Sequence, residues 1–318
     1  MRYCRGRADT VFHLTTTTVE RDIRHNLKLH KDWLEGRPGG VRANLSGRAF
    51  GDLSLKNADF RRAILEGCVF VEAELPDADF SGAVLEGADF RRCRLTAADF
   101  SEALLQGSRF DGAFLTGANF SEASLQNASF RATQLTDARF MEAKLMRADF
   151  SNATAVNASF HQANFFETCL RNASLENAIF FFARLQLSDF AFSSGPDVRF
   201  SNARIQNCDF SSCDLPYAKF NKAAIARCTF LRSQCPNADF REARIEGSDF
   251  SGAVLSGGRF QEAKFLAADF RSTDLRSARD MAADQLILAR TSDATILPNG
   301  KCGPYMKHSG AERPAMRD

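Results

Sequence analysis

The sequence has no apolar run long enough to cross a membrane, so we expect no membrane-spanning helix and no membrane partner. It also lacks an excess of either charge: 41 Lys and Arg stand against 39 Asp and Glu, a formal net charge of +2. Such a balance is typical neither of direct nucleic-acid binding nor of a chain that imitates DNA along its whole length. The first residues include Arg2, Arg5 and Arg7 but no apolar segment typical of a signal peptide, so we expect a cytoplasmic location.

Residues that carry catalysis are scarce as well. There is no Gly-rich phosphate-binding loop and no His and Cys cluster at metal-ligand spacing. Of the five histidines, only His161 lies in the central part of the chain, and no Cys or Asp is paired with it by the sequence pattern. We therefore expect a protein that is not an enzyme and that has no cofactor or metal.

What the chain does have is a strict five-residue period from Ala43 to Ser277, without one insertion or deletion. Every position whose number ends in 0, from Phe50 to Phe270, is Phe except Leu170. Positions ending in 5 are mostly Leu, and the residue two before each large one is small, usually Ala, except for Arg48 and Leu53 at the entrance. A helix would spread this period around its whole circumference, because 5 is not a multiple of 3.6.

A short extended segment followed by a corner fits the period, because residues two apart in a strand point to the same side. The second residue after each large one is often Gly, Asn or Asp, which tolerate corner conformations. Four right-angle corners close a coil of about 20 residues, and successive coils stack roughly 4.8 Å apart. The pattern therefore predicts an all-β solenoid of about 12 coils, with inward columns of Phe and Leu.

Individual units carry a family resemblance. They include Ala58-Asp59-Phe60-Arg61-Arg62, Ala88-Asp89-Phe90, Ala118-Asn119-Phe120 and Ala43-Asn44-Leu45-Ser46-Gly47. These units resemble the A(D/N)LxX motif of the pentapeptide-repeat family, and the resemblance covers about three quarters of the chain. It implies a right-handed quadrilateral β-helix. It implies no single activity, because family members include topoisomerase-binding DNA mimics, bacterial effectors and proteins of unassigned role.

Both ends of the repeat region predict helical caps. A helix is expected from Thr18, as N-cap, to Glu35, where it covers the open end of the first coil. A partner-binding amphipathic helix is the alternative, and His25 and His30 are expected to be solvated. The predicted order is a disordered N-terminus (1–17), a capping helix with its linker (18–40), the repeat solenoid (41–279), a C-terminal cap (280–300) and a disordered tail (301–318). In family members that dimerise, the C-terminal helical segment is the contact, so the resemblance makes this cap the candidate homodimer interface.

The nine cysteines do not predict a disulfide scaffold. The small inward position is held by Cys68, Cys93, Cys208, Cys213 and Cys228, and Cys235 replaces a large core residue. We expect buried thiols in a reducing compartment, since Cys packs as a small hydrophobe. Cys208 and Cys228 lie one coil apart, which leaves a disulfide between them as an alternative.

Because the core is monotonous, function is expected at the outward positions. The first candidate is an apolar patch in the middle coils: Phe166, Phe181, Phe182 and Phe192, joined by Met141, Met146 and Leu187. A contiguous exposed apolar patch usually marks an interaction site. The alternative is a locally irregular coil, since Ala155, Leu170 and Gly195 depart from the pattern and extra Phe side chains would fill the space they leave.

Charged residues at steps of 20 form stripes. A basic stripe contains Lys144, Arg184, Arg204, Arg244 and Lys264, interrupted by Asn164 and Ala224. Contact with phosphate or with an acidic protein is one interpretation, and a solvated face partly neutralised by Glu242, Glu246 and Glu262 is the other. Acidic stripes contain Asp59, Asp79 and Asp99, and on another face Asp189, Asp209, Asp249 and Asp269. Regular carboxylates are how a gyrase-binding family member imitates DNA, but Arg61, Arg62, Arg91 and Arg92 lie beside the first set.

The leading hypothesis is a non-catalytic scaffold that docks a protein partner on the aromatic patch. The alternative is a DNA-mimicking protein that binds a topoisomerase such as gyrase. The sequence does not identify the partner.

Overall fold

The computed structural model describes residues 8–51 and 55–315, with only the backbone given for residues 8–20. Its regular elements are α1 (Ala8–Leu34), β1 (Asn164–Phe166), β2 (Arg184–Gln186), β3 (Arg204–Gln206), β4 (Ala224–Ala226), β5 (Arg244–Glu246), β6 (Lys264–Leu266) and α2 (Ala283–Ile287). The six strands form one parallel sheet in the order β1 to β6. Elsewhere in the repeats the extended segments pair through single parallel bridges.

The pairing register of the repeats is 20 residues. Phe165 pairs with Leu185 in the sheet, and Asp59 bridges Asp79, which in turn bridges Asp99. The same step separates each pair of bridged repeat residues as far as Arg279. Parallel pairing at every fourth five-residue unit makes the chain a β-solenoid, as the period predicted.

The core is a double ladder of Phe rings. Phe60, Phe80 and Phe100 are fully buried. Phe80 stacks on Phe100 with ring centroids 4.8 Å apart and parallel planes, and Phe90 meets Phe100 edge-on at 5.4 Å. Both geometries are favourable for aromatic quadrupoles. The prediction that residues ending in 0 and 5 face inward is confirmed for these columns.

The corners explain how so many residue types fit one backbone. The carbonyl of Phe60 accepts a hydrogen bond from the Ala63 amide at 2.9 Å, and the third turn residue, Arg62, has φ +58°. This combination defines a type II turn, which favours Gly or Asn at that position. Arg62 nevertheless occurs there because its amide donates to the Ser81 carbonyl of the next coil at 2.9 Å. The stacked coils thus hold a conformation that costs an isolated residue about 1–2 kcal/mol.

The corners that follow β1 to β6 are wider. Ala148 still donates to the Leu145 carbonyl at 3.1 Å, but at the corners after the six strands this turn hydrogen bond is absent. At two of these corners a serine one coil further supplies an acceptor instead: Ser188 Oγ lies 3.4 Å from the Thr168 amide, and Ser248 Oγ lies 3.1 Å from the Cys228 amide. The opened corner lets the backbone continue as a three-residue strand on this side only.

The cysteines behave as packing residues. All eight described cysteines are free thiols, so the alternative of a Cys208–Cys228 disulfide is not observed. The six that were expected in the interior are buried. Burial raises the pKa of Cys68 to about 11 and that of Cys93 to about 12, which keeps both thiols protonated and unreactive at neutral pH.

The N-terminal helix is longer than expected. It begins at Ala8 rather than at Thr18, because neither Gly nor Pro interrupts the stretch to Leu34 and threonine, although a weak helix former, does not end a helix. Residues 1–7 of the segment that was expected to be disordered lie outside the described residues. The helix covers the first coil through the buried Ile23 and through His30.

His30 corrects a second expectation, since it is fully buried rather than solvated. Its Nδ1 accepts from the Ala43 amide at 3.1 Å, so its Nε2 carries the proton and donates to the Arg61 carbonyl at 2.9 Å. The neutral imidazole thereby pairs two backbone groups at the open end of the first coil. Burial lowers the pKa of His30 below its usual 6.5, against the raising effect of its bond to Arg61.

The C-terminal end is closed by α2 and by a folded-back tail. Leu286 and Leu297 are buried, and the Gln285 amide nitrogen donates to the Phe260 and Ala263 carbonyls at 2.9 and 2.7 Å. Beyond residue 300, the Tyr305 hydroxyl donates to Glu312 at 3.0 Å, and Ala311 is buried. Residues 301–315 therefore do not form the disordered tail that their composition predicted.

Candidate interaction surface

We call the side of the solenoid that carries β1–β6, with its register equivalents, the strand face. The predicted basic stripe lies along the middle of it. Arg184 pairs with Arg204, and Arg244 pairs with Lys264, in adjacent strands, while Lys144 bridges Asn164 one coil before. All five cationic side chains are exposed. The stripe predicted from steps of 20 thus lies in one column along the solenoid, in which Asn164 and Ala224 interrupt the cations.

These five cations make no salt bridge within the described part of the chain. Glu242 of the expected neutralising set lies 3.7 Å from Lys222 instead. Like charges placed directly opposite each other on neighbouring strands repel. The cations of the stripe are therefore not ion-paired, although Glu246 in β5 and Glu262 before β6 are exposed close to Arg244 and Lys264.

The apolar patch falls on the two corners that border this stripe. Met141, Phe181 and Phe182 lie on the corner before the strands, and Met146, Phe166 and Leu187 lie on the corner after them. Phe182 and Leu187 are 55% and 46% exposed, whereas Phe166 and Phe181 are half-buried. The Phe182 ring meets His161 edge-on at 5.9 Å. Stripe and patch are consequently parts of one surface.

Phe192 does not belong to this patch. It follows Phe190, whereas Phe182 follows Phe180, and these two core rings meet edge-on at 5.8 Å from different columns. Because ten residues are half of a coil, Phe192 lies on the diagonally opposite corner. There it is 54% exposed and covered on one side by the Arg171 guanidinium at 5.0 Å.

The space that Ala155 leaves in the core is filled by another core residue rather than by the outward Phe residues. Ala155 leaves space in its column, and Phe165, which stands where Leu is usual, fills the same coil from the opposite side. Phe165 is fully buried and contacts Phe160 and Phe180 at 5.5 and 5.7 Å. The exposed Phe182 takes no part in filling this space.

Sequence analysis missed Leu266, which is 58% exposed beside Lys264 on the strand face. The signal was present, because position 266 is outward in the five-residue frame and lies in the same column as Met146 and Phe166. It adds a separate exposed apolar residue beside the last cation of the stripe, because Gln206 and Glu246 stand between it and the patch in the same column.

The acidic stripes have a local structural role. The carboxylate of Asp269 accepts the Arg271 amide at 3.0 Å and a bidentate bond from the Arg271 guanidinium. Burial alone would raise the pKa of Asp269, but these hydrogen bonds bring it below its usual value. The same arrangement joins Asp59 to Arg61 and Asp239 to Arg241 at 2.8 and 2.7 Å. Each of these carboxylates closes a turn and is neutralised by the arginine two residues later.

The comparisons agree with this architecture. The family model described as "Pentapeptide repeat region" matches residues 103–180, and the model "Pentapeptide repeats (8 copies)" matches several segments within 41–112 and 197–276. The chain therefore belongs to the pentapeptide-repeat family. These families are repeat folds, and no enzymatic family is matched.

The solved structures similar to this chain include HetL from the cyanobacterium Nostoc sp. strain PCC 7120, a pentapeptide repeat protein involved in heterocyst differentiation regulation. It is 22% identical, with 86% of this chain and 96% of that chain covered and a TM-score of 0.27. Full-length QnrB1, a plasmid-mediated fluoroquinolone resistance protein, is 19% identical over 77% of this chain and 94% of its own, with a TM-score of 0.24. At these TM-scores neither likeness adds to the assignment made by the family models.

The comparison with curated proteins gives no match. Among the described residues, none of the helices combines the length and the apolar character that a membrane crossing requires. In residues 8–51 and 55–315 there is likewise no group of three or more His, Cys, Asp or Glu that could hold a metal ion.

Proposed function

We propose that this protein is a non-catalytic protein-binding scaffold whose partner docks on the strand face. The observation that carries the proposal is the exposure of Phe182 and Leu187 on the two corners that border the basic stripe. Large apolar side chains exposed together on one surface are typical of a site that a partner covers. The scaffold itself is a right-handed quadrilateral β-helix of about 12 coils, located in the cytoplasm.

The test is replacement of Phe166, Phe181 and Phe182 by Ser. These side chains are outward, so the variant keeps the stacked core and its melting profile. Affinity capture with purified wild type as bait identifies the partner, and the purified partner is then titrated against each variant. Phe114→Ser is the matched control, because Phe114 is 49% exposed on another face. Unchanged affinity of the triple variant, or an equal loss in the control, rejects this docking site.

A topoisomerase-directed DNA mimic is the second candidate. It is favoured by the in-register line of Asp59, Asp79 and Asp99, which bridge one another. It is weakened by Arg61, which lies 2.8 Å from Asp59 and 3.7 Å from Asp79. A supercoiling assay with purified gyrase separates the two functions, because an absence of inhibition at micromolar protein removes this candidate.

A homodimer through the C-terminal cap is a compatible proposal. Ile287 and Leu288 on and after α2 are 44% and 56% exposed, as is typical of an apolar contact that a second copy would cover. Sedimentation of wild type and of Ile287→Ser/Leu288→Ser tests it: a wild-type monomer, or a dimer that survives the substitution, rejects this interface.

A further inference from the structure

The strand face differs from the other sides of the solenoid in its charge pattern. On the other three sides, the residue before each large core residue includes carboxylates, such as Asp89, Asp214 and Asp239. On the strand face, the same position from residue 44 to residue 264 contains no Asp or Glu in any coil. Its first half includes Ile64, Val84 and Leu104 and its second half is cationic. This face alone is both free of carboxylates in its central column and rich in cations.

Some cations elsewhere are ion-paired: Arg91, Arg241 and Arg276 each hold the carboxylate two residues before them at 2.6–2.7 Å. On the strand face, Arg184 stands directly opposite Arg204 and neither has a carboxylate partner among the described residues. Arg259 also stands opposite Arg279 on another side, but the same column there contains Asp59, Asp79, Asp99 and Asp239. The positive charges of Arg184 and Arg204 repel each other in the free protein, and negative charge on a bound partner would relieve this repulsion.

The spacing of the cations selects the shape of that partner. Coils repeat about every 4.8 Å, and the stripe from Lys144 to Lys264 spans six coils, about 29 Å. An α-helix lying along the solenoid advances about 5.4 Å per turn and so presents close to one residue of its stripe to each coil. Alternate residues of an extended strand are about 6.7 Å apart, so their side chains lose alignment with the coils, which repeat about every 4.8 Å, within a few coils. A helix of about 19 residues matches the stripe in length.

The apolar corners complete the match. In the coils from Met141 to Leu187, Phe182 and Met141 border the stripe on one side and Leu187 and Met146 on the other; further along, Leu266 is the exposed apolar residue beside the stripe, and the corners between Leu187 and Leu266 are mostly polar. A helix that carries an acidic stripe flanked by apolar residues would bury these side chains while its carboxylates meet the cations.

We propose that the partner docked on the strand face is an acidic amphipathic helix that lies along the solenoid, with its carboxylates on Lys144, Arg184, Arg204, Arg244 and Lys264. This inference rests on the proposed function and adds the chemistry and direction of the bound segment. It predicts binding that weakens with salt, since charges meet at an exposed surface.

The experiment uses the full chain and two fluorescein-labelled helical peptides of about 20 residues. One peptide carries a Glu stripe flanked by Leu, and its twin carries Lys in place of every Glu. Arg184→Glu/Arg204→Glu reverses two cations of the stripe. Arg139→Glu/Arg259→Glu is the matched control, because both arginines are exposed on another face, make no salt bridge in the described residues, and give the same change of net charge.

Fluorescence anisotropy is expected to show that the Glu peptide binds the wild type and the Lys peptide does not. The stripe variant should weaken binding by about tenfold or more, and the control by less than about twofold. Equal binding of both peptides, no binding of the Glu peptide, or equal loss in the two variants overturns the inference. A lipid surface would also overturn it: in that case the wild type, but not the stripe variant, cosediments with vesicles of phosphatidylcholine and about 30 mol % phosphatidylserine, and the Glu peptide does not bind.

The two proposals fail separately. If Phe166→Ser/Phe181→Ser/Phe182→Ser abolishes capture of the natural partner but the stripe variant does not, docking on this face stands and the acidic helix is wrong. If both variants retain full affinity for the natural partner, the strand face is not its binding site.

Discussion

Replacing one ring of the Phe ladder by Leu tests whether the stacked geometry stabilises the solenoid beyond simple burial. Phe100 is fully buried and pairs with four rings, Phe80, Phe90, Phe110 and Phe120, at 4.8–5.5 Å. A swap between hydrophobes of similar volume usually costs less than about 1.5 kcal/mol. Aromatic pairs add about 0.5–1.5 kcal/mol each beyond burial. Since Leu retains much of the dispersion, we expect Phe100→Leu to cost about 2–3 kcal/mol.

Phe150→Leu is the internal comparison. Phe150 is as deeply buried but has only three ring partners, Phe130, Phe140 and Phe160, because Leu170 stands where the next stacked Phe would be. The unfolding free energy lost in Phe150→Leu should be smaller than that lost in Phe100→Leu by the contribution of about one ring pair, roughly 1 kcal/mol.

Hydrogen exchange followed by mass spectrometry is the suitable assay, because long repeat arrays need not unfold as one cooperative unit. Opening free energies of the segments around each substitution give the local cost, and a segment several coils away serves as reference. If Phe100→Leu costs less than about 1.5 kcal/mol, or no more than Phe150→Leu, the ladder contributes only its buried volume and the reasoning is refuted.

Three further predictions concern the cap and the corners. The pKa of His30 is below 6.5 in the folded protein, so the stability that the neutral imidazole contributes is complete above pH 6.5 and is lost as the pH falls through the folded pKa. Trp33 stacks on His30 with ring centroids 5.5 Å apart, so its fluorescence emission should change over that pH range in the wild type and not in His30→Gln. The pKa of Asp239 is likewise lowered in the folded protein, so Asp239→Asn should narrow the difference between melting temperatures measured at pH 7 and near pH 3, and an unchanged difference counts against the ion pair. Gly195→Ala places a Cβ 2.3 Å from the Glu176 amide at φ +144° and should cost more in thermal unfolding than Gly107→Ala, where the added atom meets open space.

The sequence predicts the interior of this protein far better than its surface, for a physical reason. A five-residue period leaves only one way to bury Phe60, Phe80 and Phe100 together, so the columns follow from the pattern. The separation of Phe192 from Phe182 was also present in the numbering, since ten residues are half of a coil. The burial of His30 was not, because it depends on which backbone groups the first coil leaves unpaired.

The strand face shows how the fold and the binding hypothesis are connected. Elsewhere an Asp before the core residue accepts a turn amide, as Asp239 accepts from Arg241 at 3.1 Å. From Asn164 onward, the residue at the same position on the strand face lies within a paired strand rather than at a single bridge, so it does not have to close a turn as Asp239 does. This accounts for the missing carboxylates there but not for the cations, because Asn164 and Ala224 occupy the same column without disrupting the pairing. The backbone thus permits residues other than cations at these positions, so the pairing of the strands does not by itself explain the charge of Arg184, Arg204, Arg244 and Lys264, which the proposed acidic partner would explain.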